Sequence, residues 1–356
     1  MEGRSVVAGM NVGDLVTPTG VLLLDHSAPR DVWLDKRREG ICSSDVPALL
    51  EVPQAEEEQK RYSTPLHIYY DKTGQIPHSD EPPSDAAYYG LLFEGPLAFD
   101  WAARNCTSVE EIGIIGHQVE AWQMCSLDRH VETCPLDRSK HWVCALEAKQ
   151  RNAYVSKFWR KGPPDDVLAQ VLWQILVTGF DHIHVVCLIG GNDYRQYVVR
   201  RSDHEKLVAY LDAEATRLWF EHIIPRVPPA LTGDEPPDAL LELYERLHPN
   251  RKGTVDFDRD LEAQDNVTEY LLAGADESEA KQRKKVAYAK MIAALGDAQG
   301  AYVHDKLFYE IATSERSTCD LRKLRELYPQ VYDECVTDGT NDRLFIPKNV
   351  REEFIR

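Results

Sequence analysis

Residues 147–149 read Glu-Ala-Lys and close an apolar run, His141-Trp142-Val143-Cys144-Ala145-Leu146. Such a run is what a buried strand requires. In an extended backbone side chains alternate, so Glu147 and Lys149 emerge on one face. A carboxylate and an ammonium side by side at the end of an apolar strand can hold a divalent metal and a water together. Phosphodiester hydrolysis needs that combination. The triplet alone is weak, because Glu279-Ala280-Lys281 repeats it. There, Asp276 followed by Glu279 predicts a helix start and Gly296 its end. At helical spacing Glu279 and Lys281 diverge. The strand context assigns the chemistry to the first copy.

A metal needs more than one carboxylate. Strands are predicted at 112–118, 121–131 and 141–149, with 132–140 as the hairpin loop between the last two. Asp128 then lies on a strand antiparallel to that of Glu147. Adjacent strands sit about 5 Å apart, so the two carboxylates can share a cation. Asp137 is nearer to Glu147 in sequence but falls in the loop, so the first metal carboxylate is Asp128 or Asp137. Asp128 and Glu147 would bind Mg²⁺ or Mn²⁺, hard cations that prefer oxygen, and the Ala148 carbonyl could complete the sphere. Lys149 would hold or deprotonate the attacking water, or stabilise charge on the phosphorane.

The surrounding elements must position these groups. Helix 166–179 carries a broad apolar stripe, with Gln170 and Gln174 four apart on a second face. Beside a nuclease site one of them could orient a water or a phosphate; elsewhere both are solvated. Ser43 or Ser44 could cap a helix at 46–50, with Asp45 at its positive end. A helix start beside an arginine is also an anion site, and a capped helix with a surface arginine is the equal alternative. Thr64-Pro65 opens a helix that runs to Lys72 and ends at Gly74. A helix is predicted over 86–105, interrupted by Pro96, with Glu94 just before it. Strands at 183–189 and 194–201 form a hairpin about Gly190-Gly191. His182 and His184 alternate onto one face, where strand-surface histidines are commoner than ligands. Residues 1–30 read as a loose start, and 51–61 and 75–85 as loops.

A helix at 203–224 and the Pro-rich 225–237 close the first domain, placing a catalytic domain at 1–230 and a helical region at 231–356. The latter should hold helices at 240–247, 261–273, 276–295 and 321–335, and a strand pair at 301–311. Its basic run Lys281-Gln282-Arg283-Lys284-Lys285 is either a phosphate contact or a solvated helix face.

The chain has 356 residues, 43% of them apolar, enough for a sizeable core and more than one domain. A net charge of −18 argues against a basic, non-specific nucleic-acid coat, without excluding a DNA enzyme. Neither a signal peptide nor a membrane span is expected, and a cytoplasmic location is. Eight cysteines without close pairing suit reduced thiols. Cys125, Cys134, His141 and Cys144 fall in one region, but no C-x-x-C knuckle marks a zinc site.

Several short segments, in order, carry a resemblance over about residues 33–230. They are Trp33, then Arg38-Glu39-Gly40-Ile41-Cys42-Ser43-Ser44-Asp45, Thr64-Pro65-Leu66, Lys72-Thr73-Gly74, Gly90 and Glu94-Gly95-Pro96. Next come Ser126-Leu127-Asp128, Leu146-Glu147-Ala148-Lys149, Gln170, Gln174, Thr178-Gly179 and Leu188-Ile189-Gly190-Gly191. The ordered set resembles the phage lambda-type exonucleases, grouped as YqaJ-like viral recombinases. The resemblance implies a PD-(D/E)xK nuclease: an α/β, restriction-endonuclease-like core of mixed β-sheet flanked by helices, with a mostly helical C-terminal extension. It implies Mg²⁺-dependent degradation of linear double-stranded DNA from a 5′ end, cooperation with a single-strand annealing protein, and a toroidal trimer. Carried over, Asp128, Glu147 and Lys149 form the catalytic core and Glu94 is an auxiliary acid. Gln170 assists at the scissile phosphate, and Arg38 and Ser44 hold the terminal 5′-phosphate. The chain departs from the pattern at Leu127, where proline is usual, at Arg129, where a small residue is usual, and in a long 128–147 connection.

Two other readings remain in view. The same core could serve a structure-selective endonuclease or nickase. A non-catalytic DNA-binding recombination scaffold would not need Asp128, Glu147 and Lys149 together.

Overall fold

The computed structural model describes residues 11–50, 63–77, 84–233, 235–312 and 319–336. The loop expected at 51–61 and most of that expected at 75–85 lie outside them. The chain divides into two compact units, Met1–Arg251 and Lys252–Arg356.

The first unit contains, in order, β1 (Gly20–Leu24), α1 (Arg30–Arg37), β2 (Ile41–Cys42), α2 (Pro65–Lys72), α3 (Asp85–Arg104) and β3 (Val109–His117). Then follow β4 (Gln123–Thr133), β5 (His141–Arg151), α4 (Asp165–Thr178), β6 (His182–Ile189), β7 (Asp193–Arg200), α5 (Glu205–Arg217) and α6 (Pro237–Leu247). The seven strands form one mixed sheet in the order β1-β3-β4-β5-β6-β7, with β2 also beside β4. β4 and β5 form an antiparallel hairpin, and β5 and β6 are parallel, joined through α4. The expected α/β architecture, a mixed sheet flanked by helices, is the one observed.

Side-chain alternation sorts the sheet's two faces. Ala145, Ile183, Val185 and Cys187 pack in the main core with Val167, Val171, Leu172 and Ile175 of α4. Cys144, Leu146, Ala148 and Val186 pack with Leu97, Ala98, Trp101 and Ala102 of α3. Glu147 shares the parity of Ala145 and therefore projects toward α4. α4 ends at Gly179, whose φ of 72° is a left-handed cap. Pro96 lies inside α3, which continues past it.

β2 and β5 share one geometric relation that matters for the site. β3 covers one edge of β4 from Met124 to Val131. β2 must therefore lie on the other edge, the one β5 uses. β2 is parallel to β4, pairing Cys42 with Met124, and β5 is antiparallel, pairing Leu146 with Arg129. The two strands run toward each other along one edge of β4 and stop short. Gly40 permits the close entry into β2, since any side chain there would collide with the Trp122 carbonyl and Met124.

Four expectations are corrected in this unit. β1 occupies part of the 1–30 stretch read as a loose start; it is a short edge strand whose pattern covers five residues. The segment after Ser44 is a 3₁₀ helix, Val46–Leu49, without a side-chain cap bond. Asp45 instead turns back, its Oδ2 accepting the Cys42 amide at 2.8 Å. His182 and His184 are buried rather than on the surface. The boundary expected at 230/231 falls at 251/252, because α6 buries Leu243 in the main core of the first unit. The Pro-rich segment before α6 is a traverse, not an interdomain linker.

In the second unit, α7 (Leu261–Leu295) precedes the β8–β9 hairpin (Gly300–Val303, Lys306–Glu310), α8 (Leu321–Leu327) and α9 (Pro329–Cys335). The helices expected at 261–273 and 276–295 are one continuous helix, capped by Asp260, whose Oδ1 accepts the Ala263 amide at 2.9 Å. Gly274 and Asp276 are tolerated in its interior, so Asp276 is not a cap. The single helix expected at 321–335 breaks at Tyr328-Pro329, as an X-Pro step favours.

Candidate active site

The hairpin of β4 and β5 builds the site from below and α4 closes it from above. Asp128 and Glu147 face each other across the hairpin. The Asp128 Oδ2 accepts the Ala148 amide at 2.8 Å. In an extended residue N–H and C=O point to one edge, so the Ala148 carbonyl also faces Asp128. Glu147 is fully buried. Its Oε1 accepts from Lys149 Nζ and from Gln170 Nε2 at 2.6 Å, and its Oε2 from Gln174 Nε2 at 2.7 Å. Both glutamines therefore serve one carboxylate. Gln174 Nε2 also reaches the Ser126 carbonyl at 3.1 Å, tying α4 to β4.

Electrostatics matches this geometry. Burial, then the neighbouring Glu147 and Glu94, push the Asp128 carboxyl well above its ordinary pKa, against the pull of Lys149. Burial works against the Lys149 ammonium, but Glu147 and Asp128 outweigh it and hold its pKa above the ordinary lysine value. The buried Glu147 carboxylate, the half-buried Asp128 carboxylate and a backbone carbonyl, with one ammonium beside them, form a hard-oxygen donor set short of positive charge. That set fits a divalent cation of the Mg²⁺ or Mn²⁺ kind.

Glu94, from α3, lies close enough to raise the Asp128 pKa, but its Oε1 accepts from Arg129 Nη1 at 2.6 Å. Arg129 is itself buried, pairs with Glu111 at 3.3 Å and donates to the Asp128 carbonyl. Arg129 thus places an internal cation beside the acids.

Asp137 lies in the hairpin loop, exposed, with its Oδ1 accepting from Ser139 N at 3.1 Å and Ser139 Oγ at 2.6 Å. It shapes its own turn. Of the two candidates left open, Asp128 is the one brought to Glu147.

The arginine beside Ser44 is not Arg38. Arg38 Nε pairs with Asp71 at 3.2 Å and its Nη2 donates to the Ile76 carbonyl at 2.6 Å. Arg37 donates to Ser44 Oγ, lies 3.7 Å from Asp45 and stacks over Trp33 at 4.9 Å. Helical rotation at the end of α1 separates the two adjacent arginines. Arg37 is the group that sequence reasoning did not place, although the adjacent Arg37-Arg38 pair was a signal for it; of Gln170 and Gln174, read as a pair of which one could serve the site, both do. The second Glu-Ala-Lys copy sits exposed on α7, where Lys281 pairs with Glu277 at 2.7 Å.

Residues 32–181 match the model of the YqaJ-like viral recombinase domain. The segment spans α1 through the end of α4 and so includes every site residue named above. The chain is 26% identical over 335 residues to the Bacillus subtilis (strain 168) protein named "Uncharacterized protein YqaJ", covering 93% of this chain and 98% of that one. Among solved structures it is similar to the alkaline exonuclease LHK-Exo of Laribacter hongkongensis, at 16% identity and a TM-score of 0.43, covering 61% of this chain and 99% of that one. LHK-Exo in complex with dAMP matches at 17% identity and a TM-score of 0.43, covering 55% of this chain and 94% of that one.

Proposed function

We propose that this chain is a divalent-metal-dependent exonuclease that hydrolyses linear double-stranded DNA from a 5′ end, in recombination of the phage type. The observation that carries the reading is the half-buried Asp128 beside the buried Glu147, with Lys149 and two glutamines fixed on Glu147. The viral recombinase match over the same residues supports it. When bound at Asp128, Glu147 and the Ala148 carbonyl, Mg²⁺ or Mn²⁺ supplies the charge that offsets the developing negative phosphate and acidifies water. Lys149 holds the attacking water and opposes charge on the phosphorane. Gln170 and Gln174 fix the Glu147 carboxylate, so its oxygens need not reorganise during reaction. Glu94 is an auxiliary acid whose engagement requires release from Arg129. Arg37 with Ser44, rather than Arg38, receives the 5′-phosphate. The product would be a 3′ single strand suited to an annealing protein, and a ring of three chains would keep the enzyme on its track.

The test is digestion of linear duplex DNA bearing 5′-phosphate or 5′-hydroxyl ends, beside a covalently closed circle. It compares wild type, Lys149→Ala, Arg37→Ala and Arg38→Ala, with Mg²⁺ and after its removal. The reading expects loss of linear DNA only, faster from the 5′-phosphate, abolished without metal and by Lys149→Ala. It also expects the 5′-phosphate preference to vanish in Arg37→Ala. Cutting of the circle would make the chain an endonuclease. DNA binding with no cleavage in Mg²⁺ or Mn²⁺ would make it a scaffold.

A further inference from the structure

On the sheet face opposite Glu147, four buried side chains converge that the nuclease reading does not use. Cys134 follows β4, Cys144 lies on β5, and His182 and His184 lie on β6. One ligand atom from each lies within 4.8 Å of all the others. Cys134 Sγ is 3.4 Å from His182 Nε2. The His184 Nε2 is buried and has no hydrogen-bond partner. An imidazole nitrogen so placed costs free energy unless something satisfies it, and a metal would.

We propose that Cys134, Cys144, His182 and His184 form a structural zinc site. Two thiolates and two imidazoles are a soft, tetrahedral donor set of the kind zinc takes. Zinc–sulfur and zinc–nitrogen bonds imply ligand atoms about 3.3–3.8 Å apart, so closing the group needs shifts of about 1 Å or less. A two-iron cluster with the same ligand types would spread its pairs over two metals. The compact group fits a single ion. Trp101 packs on the His184 ring at 5.0 Å between centroids and shields the group from α3. A cleft of about 250 Å³, lined in part by Asn105, Pro135 and His184, gives a path from solvent. The ion would clip the turn after β4 to β5 and β6, holding in phase the strand that carries Glu147 and Lys149. Its donors differ from the oxygen set at Asp128, so each place selects its own metal. Sequence alone hid the site, because the sheet pairs Cys-x₉-Cys with a distant His-x-His.

The test uses the full chain purified under reducing conditions from zinc-supplemented medium. Elemental analysis should find one zinc per chain, retained through dialysis into Mg²⁺ buffer and retained by Asp128→Asn and Glu147→Gln. Exchange for Co²⁺ should give tetrahedral d–d bands with thiolate charge transfer. Cys144→Ser should lower metal affinity by at least about tenfold. His184→Cys, which keeps a donor, should hold the ion and strengthen the thiolate bands. The proposal is overturned if wild type takes up neither zinc nor cobalt, or if its cobalt spectrum lacks thiolate bands. It is equally overturned if zinc leaves with the Asp128 or Glu147 substitution, or if iron with labile sulfide is found. The wild-type spectrum decides the matter even where a variant fails to fold. None of these readouts depends on nuclease activity.

Discussion

At the scale of single residues, Glu147 shows how a buried charge is made tolerable. Three donors meet one carboxylate, two of them from α4. Gln174→Ala removes a donor to the buried Glu147 carboxylate and to the half-buried Ser126 carbonyl and should cost about 1–3 kcal/mol in urea unfolding. Gln174→Glu should cost more, since it brings a second carboxylate to the same spot. Arg129 acts in the other direction, holding Glu94 at 2.6 Å. Arg129→Met should lower the Mg²⁺ concentration for half-maximal cleavage several-fold; an unchanged requirement would remove Glu94 from the metal's surroundings. Glu147 was legible in the sequence because strand pairing follows from apolar patterning, whereas its partner was open between Asp128 and Asp137 until the strands were paired. That Arg37 and not Arg38 meets Ser44 was not legible, since neighbouring helical residues differ only by rotation that patterning does not resolve.

Elements show the same division. The long strands and α4 announce themselves by apolar periodicity, and the structure moves their ends by a few residues. Short pieces do not: β1 and β2 are five and two residues long and are held by pairing with distant strands. The turn after β2 is held instead by charge. The Lys72 ammonium, deep in the protein, lies 2.7 Å from Asp45 and 3.0 Å from the Arg37 carbonyl. Burial raises the Asp45 pKa, but Lys72 and Arg37 outweigh it and leave it depressed. A carboxylate with a depressed folded pKa contributes stability above its unfolded value and loses it as pH falls through the folded one. Asp45→Asn should therefore cost roughly 3 kcal/mol at pH 7. Wild type and variant should converge as pH falls below about 3.9. Denaturant midpoints across that range check it, and a constant gap down to the lowest pH would sink the idea.

For the whole molecule, the sequence pointed to two parts but drew the line too early, since proline content marks a turn in the path and not where packing ends. A chain ending at Arg251 should unfold cooperatively, whereas one ending at residue 230 loses the seat of Leu243 and Ala239. It should be less stable by about 3 kcal/mol or more, read from thermal or urea unfolding. No helix among the described residues is long and apolar enough to cross a membrane. The two strands that meet end to end along β4 have a further consequence. Cys42 and Leu146 stand opposite Met124 and Arg129, a separation of about 17 Å at strand rise. The sheet itself therefore fixes the span between Ser44 and the Asp128–Glu147 pair, the two ends of the proposed exonuclease site. Such a span is a ruler: fragments released from any sequence should share one length, and chromatography of a digest would reveal a single size class. A ladder of sizes would mean that the end of the strand is not gripped while the bond is cut.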